Sequence, residues 1–230
     1  MIVMPAANGN IMLGYLAGRF PGRVGTMVSP ATKWMKPHHF LPYSIDNGRY
    51  ADTKAGREWD SGVWLEMLDK AIDSPYAPMW VVVPDVLGSR DGTLKDFEKW
   101  SPKLRRMGFN VAMVCHDGMT PADIPDDTTA FIGDSDEQRR KVGEYVEAGI
   151  PTHFGRVNSL SMLKHLHRLG VTSCDSSGWF RHGGDETRPG PRSADKDVSD
   201  WRIAPFLQYL EWSIAPVYEP MLFDLYDLAP

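Results

Sequence analysis

Hydrophobic and polar positions change period repeatedly along the chain. Short extended runs at Ile2–Met4, Val24–Val28, Tyr43–Ile45, Met79–Val83, Asn110–Val114, Thr129–Ile132, Thr152–Phe154 and Val171–Cys174 predict eight strands. Met79–Val83 is continuously apolar, the pattern of a strand buried on both faces. Helical spacing fills the intervals: Asn10–Ala17, then Trp59–Ile72 with Val63, Leu65, Met67, Leu68 and Ile72, then Leu94–Met107, which Pro102 is expected to kink or divide, then Glu137–Ala148. Leu160, Leu163, Leu166 and Leu169 form one stripe of a further helix, with Lys164, His165, His167 and Arg168 on the other side. Asn158 or Ser159 caps that helix and Gly170 ends it.

Alternation of strands with crossover-length segments predicts a parallel sheet, and the fold expected is a (β/α)8 TIM-like barrel, full or abbreviated. The barrel is assigned to residues 1–182. Residues 183–197, rich in Gly, Pro, Arg and Asp, read as a mobile loop, and residues 198–230 as a helical segment packed on the barrel. Within it, Ser199 or Asp200 caps a helix over Trp201–Trp212, and Phe223 and Tyr226 pack back.

The chain has 230 residues, 42% hydrophobic and 24% charged, as in a soluble globular domain with one sizeable core. No apolar run is long enough for a membrane span, and no signal-like N-terminus is read, so a cytoplasmic location is expected. Cys115 and Cys174 alone form neither a disulfide framework nor a four-ligand zinc site. His38 and His39 are adjacent and lack the spacing of a helical metal pair, so no metal is assigned. The net charge of −5 argues against indiscriminate nucleic-acid binding. Arg105–Arg106, Arg139–Lys141, Lys164–Arg168 and Arg181–His182 are candidate pieces of a local basic face, each also explained as solvated surface.

The strand ends repeat one feature. Asp46, Asp85, Asp117, Asp134 and Asp175 each follow a predicted strand, and in a parallel barrel all those ends share the rim that carries the chemistry. A cluster of carboxylates repels itself unless a cation, a shared proton or a polar substrate compensates it. Taken singly, Asp175 also suits a turn before Ser176-Ser177-Gly178, and Arg156 a surface ion pair.

Six stretches, Ser44-Ile45-Asp46-Asn47-Gly48, Val83-Pro84-Asp85, Cys115-His116-Asp117-Gly118-Met119-Thr120-Pro121, Phe131-Ile132-Gly133-Asp134-Ser135, Gly155-Arg156-Val157-Asn158-Ser159 and Cys174-Asp175-Ser176-Ser177-Gly178-Trp179, fall in a familiar order. Over roughly Tyr43–Trp179 the chain resembles the tRNA-guanine transglycosylase superfamily, and looks closest to its bacteriophage DpdA-like branch, which places 7-deazaguanine bases in DNA. The resemblance implies that Asp175 is the nucleophile and Asp46, in an Asp-Asn-Gly turn with Asn47 and Gly48, the general acid/base. It implies that Asp85 reads the guanine edge and that His116 stands where the family more often has Gln. Asp117, Gly118, Gly133, Asp134 and Asn158 fall in the substrate-contacting stretches on the same ground. Asp134 replaces the second glycine of a usual Gly-Gly, and Ser176-Ser177 replaces a usual Gly-Thr. The cellular tRNA enzymes carry a Cys-rich zinc motif, and no cysteine follows Cys174 here.

The implied reaction exchanges guanine for a 7-deazaguanine such as preQ0 through a covalent aspartyl-glycosyl enzyme, without a cofactor. DNA is the expected partner and tRNA the runner-up, because the small size and missing zinc motif favour DNA. In a phage-encoded protein the location would be the host cytoplasm, and a homodimer or partner protein stays open. Tyr50 and Trp179 are candidates to stack on a base, or rim packing, and Arg156 to hold a phosphate or orient a carboxylate. The rival readings are a glycoside hydrolase, which also sets paired carboxylates on a barrel rim, and a catalytically silent nucleic-acid or nucleoside binder.

Overall fold

In a computed structural model, residues 1–6, 11–31, 34, 38–176 and 200–214 are described. The strands are β1 (Ile2–Pro5), β2 (Thr26–Val28), β3 (Tyr43–Ile45), β4 (Val81–Val82), β5 (Val111–Cys115), β6 (Thr128–Ile132), β7 (Thr152–Phe154) and β8 (Ser173–Ser176). They form one parallel eight-stranded sheet in the order β1-β8-β7-β6-β5-β4-β3-β2. A parallel bridge between Val3 and Val24 nearly closes it: Val3 N–H donates to the Arg23 carbonyl, and Gly25 N–H to the Val3 carbonyl, each at 2.9 Å. A Cβ on Gly25 would meet the Pro42 carbonyl oxygen at 2.6 Å, so only glycine permits this closure. The chain is therefore a TIM-like (β/α)8 barrel.

Eight α-helices are described: α1 (Ile11–Arg19), α2 (Arg49–Lys54), α3 (Ser61–Ile72), α4 (Arg90–Arg106), α5 (Asp136–Arg140), α6 (Val142–Glu147), α7 (Leu160–Leu169) and α8 (Asp200–Ile214). Pro102 does not divide α4. It lies on the exposed face together with Glu98, four residues earlier, and Ser89 caps the helix by accepting from Gly92 N–H at 3.1 Å. The helix expected over Glu137–Ala148 is instead two, because Lys141 adopts a turn conformation (φ −93°, ψ 5°) between them. α7 is capped by Ser159, which accepts from Met162 N–H, and ended by left-handed Gly170 (φ 89°). His167 is not on a solvated face: its Nδ1 meets the Tyr209 hydroxyl of α8 at 2.8 Å, and Phe206, Tyr209 and Leu210 of α8 are buried. No described helix is long and apolar enough to cross a membrane. Residues 183–197, Arg181, His182, Ser199, Phe223 and Tyr226 lie outside the described residues.

Strand alternation divides the core in two. Val3, Ile45, Val81, Met113, Ile132, Phe154 and Cys174 face the helices and pack with Leu16, Trp64, Leu104, Tyr145 and Leu166. Met4, Met27, Trp80, Val82 and Ala112 fill the barrel interior, with Phe131 and Val114 against them. By the same alternation the interior also receives Ser44, His153, Ser173 and Asp175. The polar interior positions thus lie level with apolar ones, Asp175 with Met4, Ser44 with Met27 and His153 with Phe131.

Candidate active site at the C-terminal mouth of the barrel

Asp175 occupies the third position of β8, in register with Met4 of β1, rather than a loop beyond the strand. Its carboxylate is held at both oxygens: His153 Nε2 lies 3.1 Å from Oδ2, and Arg156 N–H donates to Oδ1 at 3.1 Å. Arg156 presents that N–H from a left-handed backbone (φ 62°), an uncommon conformation for a residue with a side chain. Its neighbour Val157 N–H donates to the Asp175 carbonyl at 2.8 Å, so the β7–α7 loop is folded around Asp175. Gly155 leaves the room: a Cβ there would stand 3.2 Å from Asp175 Oδ2. The Asp175 side chain stays 19% exposed and can meet a substrate.

Asp46 follows β3 and anchors through its own N–H, which donates to the Val28 carbonyl at 2.7 Å. Its carboxylate accepts a long backbone bond, 3.4 Å, from Gly48 N–H, with a smaller backbone contribution from Asn47. Burial, followed by the negative charges of Asp85 and Asp175, pushes its pKa up from 3.8 to about 6, against the pull of those backbone bonds. The mutual influence puts the three carboxylates in one electrostatic site.

Asn47 builds the wall beside it. Its Oδ1 accepts from Arg49 N–H at 2.8 Å and so starts α2, while its Nδ2 donates to the Val83 carbonyl at 3.0 Å and to Asp85 Oδ1 at 2.9 Å. Gly48 takes the left-handed turn (φ 79°) that this requires, packed against Pro30. Asp85 is only 4% exposed, and His116 Nε2 sits 2.9 Å from its Oδ2. Arg49 donates to the Asp85 carbonyl, bonds Asp96 Oδ2 at 2.6 Å and stacks 4.4 Å from Trp59, so α2, the β4 end and α4 are one unit.

The five strand-end aspartates do not all converge. Asp46 lies within electrostatic reach of Asp85 and Asp175, whereas Asp117 and Asp134 are exposed at the rim. Asp117 is exposed and bonds the Ser135 hydroxyl; Asp134 is 52% exposed and bonds Arg156. Arg156 also donates to the Tyr50 hydroxyl at 2.6 Å and lies 4.6 Å from its ring, linking the β6, β7 and β3 ends across the mouth. Asn158 does not cap α7; its Oδ1 accepts from the Ser176 hydroxyl at 2.6 Å. Gly118 takes φ 79° and donates to Glu137 Oε2 at 3.3 Å, and the Gly133 carbonyl accepts from Arg139 at 2.9 Å. Trp179 lies outside the described residues.

Gln138, which the sequence did not mark, and Arg139, marked only as a piece of a candidate basic face, support this rim. Gln138 is fully buried and donates to the His116 carbonyl at 2.9 Å and the Met119 carbonyl at 3.0 Å, which fixes the loop carrying His116 and Asp117. Arg139 bridges the Gly133 and Gly155 carbonyls at 2.9 and 2.8 Å, so it is a strut rather than part of a basic face. A recess of about 220 Å³ with Arg139, Phe154 and Leu166 in its lining lies on the helix side of β7 and is separate from the carboxylates.

The remaining nucleophile candidates are weak. Burial pushes the Cys115 thiol up to about 12, and burial with the Asp175 charge pushes Cys174 up as well. Among the described residues no group of three or more His, Cys, Asp or Glu side chains could hold a metal ion. The arrangement suits carboxylate chemistry: one carboxylate is held at both oxygens, and one has a raised proton affinity. Compared with known proteins, the chain matches no family model and no curated protein.

Proposed function

We propose that this barrel is a DNA-guanine transglycosylase that exchanges guanine for a 7-deazaguanine base of the preQ0 type. The observation that carries the reading is the raised proton affinity of Asp46 beside Asp85 and Asp175. It supplies a proton donor next to a doubly held carboxylate, which is the pair a double displacement needs. The order of motifs shared with the transglycosylase superfamily supplies the substrate class.

In the first displacement an Asp175 oxygen attacks C1′ of the target nucleotide. The C1′–N9 bond breaks, its electron pair goes to the purine, and the proton on Asp46 neutralises the departing guanine. In the second, Asp46 takes the ring N–H proton of the incoming 7-deazaguanine, whose nitrogen attacks C1′ and releases Asp175. Two inversions retain the configuration. Asp85 uses two of its roughly four lone-pair sites on Asn47 and His116, which leaves others for the guanine N1–H and amine. C1′ is shielded in a stacked duplex, so the nucleotide is flipped out or presented as single strand, with Tyr50 and Arg156 as the nearest stacking and phosphate contacts at the mouth.

The test is incubation with guanine-containing DNA or tRNA and labelled guanine or preQ0. Label enters DNA with the wild type and not with Asp175→Ala. Incorporation that survives Asp175→Ala removes the nucleophile assignment, and label entering tRNA alone moves the substrate to the runner-up. Reducing-sugar release without incorporation identifies a glycoside hydrolase, and DNA binding without exchange a silent binder.

A further inference from the structure

The barrel interior holds a histidine that the double displacement above does not use. His153 is fully buried, with its ring between Trp80, 4.8 Å away at 67°, and Phe131, 4.7 Å away at 32°. It pairs in register with Ser173 on the neighbouring strand, so both side chains point inward at the same level. Its Nδ1 lies 2.9 Å from Ser173 Oγ and its Nε2 3.1 Å from Asp175 Oδ2.

A polar ring in an apolar interior is costly unless both nitrogens are bonded, and here both are. The bonds also have a direction. An ionised carboxylate can only accept, so Nε2 carries the hydrogen; in the neutral ring Nδ1 is then an acceptor, and the Ser173 hydroxyl donates to it. Each donor in the series therefore points toward Asp175. Flanking aromatics hinder rotation of the ring, and Arg156 N–H holds the other oxygen at 3.1 Å.

We propose that Ser173 and His153 are positioning residues for Asp175, a directed hydrogen-bond chain through the barrel interior that sets the plane of its carboxylate at the mouth. The chain stands on the geometry alone, while its consequence for turnover rests on the transglycosylase reading. A ring that merely fills the core would affect stability only. A positioning ring affects the chemical step, because a misaligned nucleophile loses rate at unchanged substrate affinity, by about 10- to 100-fold for a displacement near 1 Å.

Two measurements test this on the full chain. Histidine 15N NMR of the wild type is expected to show His153 as the Nε2–H tautomer, and Ser173→Ala, which removes a single oxygen, to shift that signal toward a tautomer mixture. In base exchange, Ser173→Ala is expected to lower kcat about 10-fold or more with KM for DNA within about twofold, and His153→Gln, which keeps an N–H donor, to retain more kcat than His153→Leu. An Nδ1–H tautomer in the wild type overturns the chain whatever the activity. Unchanged kcat in Ser173→Ala overturns the positioning role, and does so even if the His153 variants fail to fold. The expected tautomer in a protein without base exchange supports the chain and overturns the transglycosylase reading, so the two failures are distinct.

Discussion

Replacing Asp46 with asparagine is expected to stabilise the protein, and only above the pH at which Asp46 loses its proton. Asp46 ionises near 3.8 when unfolded and at about 6 in the fold, where burial and the charges of Asp85 and Asp175 oppose the anion. A raised folded value means that the folded state binds the proton more tightly. Stability is thus lost as pH rises through that window, with no penalty below it and the full penalty above it. Two pKa units correspond to about 3 kcal/mol, and screening of a partly exposed group brings the expected gain to about 1–2 kcal/mol. The substituted amide would keep an acceptor for Gly48 N–H while carrying no charge. For a chain of this length the gain is a rise in melting temperature of about 2–8 °C. The assay is thermal unfolding of both proteins followed by circular dichroism at about pH 4 and about pH 8. The variant should melt with the wild type at the low pH and above it at the high pH. A gap of the same size at both, or a variant that melts lower at the high pH, would refute the electrostatic argument. The same variant should bind DNA normally and turn over slowly, since the group that destabilises the fold is the one that moves the proton.

Two further predictions follow from the same geometry. Asn47→Ala removes the donor bonds to Val83 and Asp85 and the acceptor for Arg49 N–H, leaving a buried carboxylate short of a partner; a loss of about 2–4 kcal/mol is expected in urea unfolding, and a loss under about 0.5 kcal/mol would show that water replaces the side chain. Gly155→Ala places a methyl group 3.2 Å from Asp175 Oδ2 and 3.4 Å from the Ile132 carbonyl oxygen, and is expected to lower kcat while DNA affinity is kept; unchanged turnover would mean that Asp175 has room to move.

The barrel was legible because each strand is a short apolar run between breakers, and burial on both faces leaves little else for such runs to form. Asp175 was legible as a residue at the C-terminal end of the last strand but misplaced by local reasoning, since β8 continues to Ser176 and carries the aspartate within the strand. α2 left no hydrophobic pattern because Arg49–Lys54 buries none of its residues; it is started by the Asn47 side chain after a left-handed glycine. His153 and Gln138 were invisible for another reason. A single polar residue beside apolar neighbours has no local signature when a defining partner lies far along the chain, as Ser173 does for His153 and His116 for Gln138. Parity along one strand gives the side of the sheet, but only inter-strand register gives the neighbour.

Three aspartates with the same chemistry are distinguished by what surrounds them. Asp175 has a donor on each oxygen, from His153 and Arg156, and Asp85 likewise from His116 and Asn47. Asp46 has backbone donors at Gly48, at a long 3.4 Å, and Asn47, and two negative neighbours. Poor solvation and negative neighbours favour the protonated form of Asp46, whereas the other two carboxylates are distinguished by the donors that hold them in place. Exchanging the roles would require moving donors that are part of the fold: a backbone N–H held by the β7–α7 loop, a ring locked in the interior, and an asparagine that also starts α2. On the proposed reading, the difference among these carboxylates is therefore built into the strand ends, before any substrate enters the mouth.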